Sequence, residues 1–234
     1  MIGINYIIRD LILDLIIPIV LIPISAYLFR KYFILKKEGI KLNNIKIIAS
    51  GFLIISISFL LKIITLSLQL INKKINLNEL QNTIYTLSQP TNILNTIPMI
   101  IFLIGILCLF SVSFKGHNKL SLITLSGIII INSGFLINIT IKQYLIYSTS
   151  LLAIIGINEI IKNYKNKTNS LMLGISYIIL SISFASFILF PDIHEFYAFG
   201  KITRILGFLL IAMLFTNTLL KKPNTLSTEI KKNK

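Results

Sequence analysis

The sequence predicts an all-α polytopic membrane bundle of seven transmembrane helices, N-terminus outside and C-terminus cytoplasmic. Three observations predict it: seven long apolar stretches, a bias of basic residues toward alternate connections, and an octapeptide that recurs in two of the stretches. Of the 234 residues 55% are hydrophobic and 13% charged, outside the range of soluble globular chains.

The spans read as 10–29, 47–71, 93–114, 120–139, 144–161, 171–190 and 199–220. A bilayer core needs about 20 apolar residues per helix. The stretches lack the strict alternation of barrel strands, and only helices or closed barrels satisfy the backbone in lipid. Residues 1–220 therefore form a single transmembrane domain and 221–234 a basic cytoplasmic tail. The first stretch has no basic residues leading into a cleavage site, so it reads as a retained span. Connections this short leave no room for a soluble domain, and any output domain is expected on another polypeptide.

Orientation follows from Lys and Arg. The first, third and fifth connections carry Arg30, Lys31, Lys36, Lys37, Lys41, Lys46, Lys115, Lys119, Lys162, Lys165 and Lys167, and the tail adds five more; the opposite side holds Lys73, Lys74, Lys142 and Lys201. The net charge of +15 thus points to anionic lipid headgroups at helix ends, with no nucleic acid as partner. Between Asn76 and Pro90, the residues Leu77, Leu80, Ile84 and Leu87 fall at helical spacing, which reads as a short amphipathic helix on the outer surface.

The repeat is Phe52-Leu-Ile-Ile-Ser-Ile-Ser-Phe59 in the second span and Tyr177-Ile-Ile-Leu-Ser-Ile-Ser-Phe184 in the sixth. Both run from inside to outside after a basic, Tyr-bearing turn. A 3+1+3 parallel duplication, with the fourth span as inverting linker, accounts for it; chance recurrence in Ile- and Ser-rich text is the alternative.

Charges inside a span are functional suspects by default, since each costs about 2.5 to 3.5 kcal/mol on insertion scales. Asp14, Lys62 and Arg204 fall at similar depth in the outer third of the first, second and seventh spans, with Asp10 and Lys201 beside them and Asp192, His194 and Glu195 in the turn above. Two readings stand. Asp14, Lys62 and Arg204 line an outward-facing polar cavity, or the cations snorkel and Asp14 pairs with one of them merely to be tolerated. Lys201, Asp10 and Glu195 read as ordinary interface charges. Pro18, Pro23 and Pro98 read as kinks, Gly127 and Gly134 as a packing face beside Asn132, and Glu159 as a surface partner of Lys162 or Lys165.

Other chemistries find no footing. No Lys occurs between Ile205 and Leu220 to carry a retinal Schiff base, His117 and His194 sit in connections where they cannot ligate haem, and the lone Cys108 precludes an internal disulfide and a Cys-based zinc site. No catalytic pair stands at one depth, so the chain reads as non-enzymatic and without cofactors.

The segments Ser25-Ala-Tyr-Leu-Phe-Arg-Lys-Tyr32 and Gly51-Phe-Leu-Ile-Ile-Ser-Ile-Ser-Phe59 resemble uncharacterised archaeal seven-helix integral membrane proteins. Gly200-Lys-Ile-Thr-Arg-Ile-Leu-Gly-Phe208 is similar to the last helix of membrane-associated sensor domains. The resemblance implies a sensor-like module in the cell membrane that works with a cytoplasmic or membrane protein partner. Those domains carry a His where the last helix begins; here Ala198, Phe199 and Gly200 stand there, so no ligand-binding residue is carried over. A small SWEET-like transporter of a neutral solute and a scaffold subunit of a membrane complex remain alternatives. The transporter lacks the Pro-Gln pair of PQ-loop carriers and has only the reversed Gln89-Pro90.

Overall fold

The computed structural model describes residues 2–39, 43–71, 93–114, 141–166, 171–189 and 194–220. They form six helices: α1 (Ile2–Lys37), α2 (Asn43–Ile71), α3 (Ile93–Ser113), α4 (Ile141–Asn166), α5 (Leu171–Leu189) and α6 (His194–Leu220). No strand occurs among the described residues. All six helices are long and apolar enough to cross a bilayer. The expected span 120–139, with Asn132, Gly127 and Gly134, lies outside the described residues, as do the amphipathic segment 77–90, His117, Asp192 and the tail 221–234.

Side chains are distributed the opposite way from a water-soluble bundle. Ile12, Ile19, Ile64, Leu68, Ile157, Ile202 and Met213 face outward, while Asp14, Ser25, Ser56, Ser58, Ser176, Ser183, Lys201 and Arg204 are buried between helices. Water would drive those Ile and Leu faces together. Lipid leaves them as they are, and polar side chains then favour the interior, where they find hydrogen-bond partners.

Each helix packs chiefly on its neighbours in the chain, and α6 returns to α1. The six thus close a ring around Phe52, Phe59, Phe102, Phe184 and Phe208. Packing is dense within α1–α2–α3 and within α4–α5–α6; the seams α3–α4 and α6–α1 that join these triplets are thinner. Small residues let the dense pairs approach. Gly51 faces Gly105 between α2 and α3, and Gly156 faces Gly174 between α4 and α5.

Helices α3 and α4 run parallel. Phe102, in the first half of α3, touches Tyr144 at the start of α4 with ring centroids 5.8 Å apart, and Ser113 at the end of α3 meets Asn158 near the end of α4. The other neighbours in the chain run antiparallel; for α2 and α3, joined by residues 72–92, Ser58 meets Pro98 while Gly51 meets Gly105. Asp14, Lys62 and the first turns of α6 therefore share one end of the bundle. The opposite end holds Arg30, Lys31, Lys36, Lys37, Lys46 and Lys162.

Helix limits differ from expectation at both ends of the chain. Helix α1 continues unbroken through Pro18 and Pro23 and reaches 36 residues. Successive turns tolerate a ring that removes one hydrogen bond when the neighbouring helices hold the segment. Helix α6 starts at His194, five residues before the apolar run, because nothing in Glu195, Phe196 or Tyr197 terminates a helix.

Candidate functional site

Helical spacing builds the site. On α1, Asp14, Ile17, Leu21, Ile24 and Leu28 recur every three or four residues and are all buried, so Asp14 is the outermost described member of the inward stripe. On α2, Lys62 extends by three residues the stripe of Phe52, Ile55 and Phe59. On α6, Lys201 and Arg204 stand one turn apart above Phe208 and Ile211. Three stripes thus end in charge at the same level.

The carboxylate of Asp14 is 1% exposed and is shared by three cations. Its Oδ2 accepts from Lys62 Nζ at 2.8 Å and from Lys201 Nζ at 2.9 Å; its Oδ1 accepts from Arg204 Nη2 at 2.6 Å. Lys201 and Arg204 are as enclosed as Asp14, whereas the Lys62 side chain is 40% exposed. Charge-assisted bonds of this length are the strong kind. In an apolar bundle they offset, rather than repay in excess, the desolvation of four ionised groups.

Aromatic rings surround the buried cations. The Arg204 guanidinium carbon lies 5.2 Å from the ring centre of Phe59, 5.7 Å from Phe187 and 5.8 Å from Phe184, and Lys201 Nζ lies 5.6 Å from Tyr197. These rings stabilise the cations through their quadrupoles. The Arg204 Nε is buried and finds no acceptor among the described residues.

The structure brings Asp14, Lys62, Lys201 and Arg204 together. Asp10 lies one turn from Asp14 on the same face of α1, but its side chain is outside the described set, as are those of His194 and Glu195. Lys201, expected beside the cluster, corrects the reading as an ordinary interface charge: it is a buried partner of Asp14. The early start of α6 is the reason, since it places Lys201 about 10 Å into the helix rather than at its lip.

A second polar cluster closes the other end. Ser113 Oγ donates to Glu159 Oε1 at 2.7 Å, Asn158 Nδ2 donates to the Ser113 carbonyl at 2.7 Å, and Lys162 reaches both that carbonyl and Glu159. Glu159 pairs with Lys162, as expected, and also accepts from the Ser113 hydroxyl, while Asn158 and Lys162 cap the C-terminus of α3, where orphan carbonyls welcome donors and a cation. Glu159→Ala is expected to destabilise the α3–α4 seam by about 1 to 3 kcal/mol, because the Ser113 hydroxyl and Lys162 lose a shared acceptor. Thermal melting of the purified chain in detergent measures it, and an unchanged midpoint contradicts it.

The sequence reading did not single out Ser113 or the Phe59–Phe184–Phe187 cage; both depend on which faces meet. No group of three or more His, Cys, Asp or Glu suited to a metal occurs among the described residues. No family model, curated protein or solved structure matches this chain.

Proposed function

We propose that this chain is a multi-pass cell-membrane protein with seven crossings that acts as a non-enzymatic, sensor-like or receptor-like module, its ligand held at an outward-facing cluster of Asp14, Lys62, Lys201 and Arg204 with Asp10 beside it. One observation carries the reading: three cations converge on one carboxylate at a single end of a bundle that is otherwise apolar outside and serine-lined inside. A carboxylate tolerated in lipid needs one partner, and three exceed that.

The seventh crossing is supported by the parallel course of α3 and α4, because between Phe114 and Ile141 the chain has to return from one end of the bundle to the other. The orientation is supported by the basic end opposite Asp14, which the positive-inside rule assigns to the cytoplasm. That basic face is the surface offered to a cytoplasmic or membrane partner.

A second reading, a SWEET-like carrier, draws on paired contacts in the two triplets. Ser58 and Ser183 hold the same place in the repeated octapeptide; Ser58 donates to the Pro98 carbonyl of α3 at 2.6 Å, and Ser183 to the Gly200 carbonyl of α6 at 2.7 Å. Seven residues on, Gly105 faces the carbonyl of Gly51 and Gly207 that of Ser176, the two residues that precede the repeats. This correspondence supports a 3+1+3 duplication, and paired repeats are a common carrier plan.

Affinity purification in mild detergent, followed by reconstitution into vesicles, separates the readings. The receptor reading expects a stoichiometric protein partner and no solute flux. Uptake of a solute into vesicles by the chain alone, abolished in Arg204→Lys, selects the carrier instead.

A further inference from the structure

We infer that the outer cluster binds an oxyanion, a carboxylate or phosphate group presented by a soluble solute or by a lipid headgroup. The inference rests on the receptor-like reading and names the chemistry of its ligand. Arg204 is buried, and among the described residues its Nε finds no acceptor. A buried donor left unsatisfied is costly enough that the fold would discard it unless something accepts from it.

Packing alone does not call for the cation. Phe102 stands four residues after Pro98 on α3, and Arg204 stands four residues after Gly200 on α6, the two residues whose carbonyls take the Ser58 and Ser183 hydrogen bonds. Each reaches the ring of the opposite triplet: Phe102 lies 5.3 Å from Phe184, and Arg204 lies 5.2 Å from Phe59. The same niche is thus filled by a phenyl ring on one side and by a guanidinium on the other. A ring suffices where only volume is needed, so the guanidinium and its Asp14 tether are specific to the other side.

The donors for an incoming anion are at hand. Arg204 Nε lacks an acceptor among the described residues, and the Lys62 ammonium, which has three N–H groups, uses one on Asp14 and stands at the accessible edge of the cluster. Asp14 fixes the three cations at one point, so an oxyanion meets preorganised charge. Its oxygens accept from Lys62 first and from Arg204 Nε behind it.

The test uses the full chain in a neutral detergent, with inorganic phosphate and acetate as probes and chloride at equal ionic strength as control. A saturable rise in melting temperature with phosphate or acetate, not matched by chloride, is expected. In Lys62→Gln that affinity falls about tenfold, as the loss of one charge-assisted hydrogen bond implies, while Lys62→Arg retains it. Nanodiscs then separate the sources. Stabilisation by phosphate in phosphatidylcholine discs marks a soluble anion, and stabilisation only by phosphatidylglycerol discs marks a headgroup; either supports the proposal. Absence of any saturable effect in detergent and in both discs overturns it, and so does an equal response in Lys62→Gln. Oxyanion binding by a chain that has neither partner nor flux leaves this inference standing and removes the receptor reading. A stoichiometric partner without oxyanion binding does the reverse.

Discussion

Asp14→Ala is expected to be the most damaging single substitution in the outer half of the bundle, lowering stability by about 3 to 5 kcal/mol, the range for removing one partner from a buried ionic set. The carboxylate bonds both Lys201 and Arg204, which are 3% and 6% exposed and cannot rehydrate without opening the α6–α1 seam. That seam is one of the two thin joints of the ring, so little apolar packing resists the opening. Lys62→Ala is expected to lower stability by less than about 1 kcal/mol, because its side chain is 40% exposed and solvent already screens it. A rescue separates charge from shape: Lys201→Met and Arg204→Met combined with Asp14→Ala should recover stability lost by Asp14→Ala alone, since apolar replacement of a whole ionic set is tolerated better than removal of one member. Melting of detergent-purified chains tests the series. Additive effects of Asp14→Ala and Arg204→Met would show that the pair is not coupled.

Depth was legible in the sequence and facing was not. A rise of about 1.5 Å per residue converts position in an apolar run into height in the membrane, and this places Asp14, Lys62 and Arg204 at one level. Which side of a helix meets which neighbour is normally read from amphipathic contrast, and these helices are apolar all round. The Phe59, Phe184 and Phe187 faces around Arg204 were therefore indistinguishable from the lipid-facing Phe199. Serine was the usable signal. Ser56 and Ser58, like Ser181 and Ser183, are buried, because lipid rewards turning a hydroxyl inward as water rewards turning an isoleucine inward. Lys201 shows a second limit. It reads at the right level beside the cluster but as an interface charge, because the polar turn His194–Tyr197 reads as loop, although nothing in it opposes helix. The partnership of Ser113 with Glu159 joins residues 46 apart, across a segment outside the described residues, and no local pattern announces it.

Gly174→Ala is expected to lower stability by about 1 to 3 kcal/mol, the usual penalty for overpacking, and to loosen α4 from α5. A methyl group there would stand 2.8 Å from the Gly156 carbonyl oxygen and 2.7 Å from Ile160 Cγ1. Ile160 can change rotamer; the carbonyl belongs to the α4 backbone and cannot, so the helices must separate. Gly156→Ala meets the reciprocal obstacle, the Gly174 carbonyl at 2.9 Å. Gly207→Ala supplies the contrast. Its near contacts, at 2.7 Å, are side-chain carbons of Leu180, and the nearest backbone atom, the Ser176 carbonyl oxygen, is 3.3 Å away. A leucine can yield where a carbonyl cannot, so Gly207→Ala should be milder than Gly174→Ala. Between lipid-facing helices the gain comes from contact itself rather than from expelled water, and contact is lost steeply with distance. A separation of a few tenths of an ångström along the whole α4–α5 pair therefore outweighs the small helix-propensity gain of alanine over glycine. Melting temperatures of the three variants decide it: equal shifts, or a stabilised Gly174→Ala, would mean that the backbones at this crossing have room to spare.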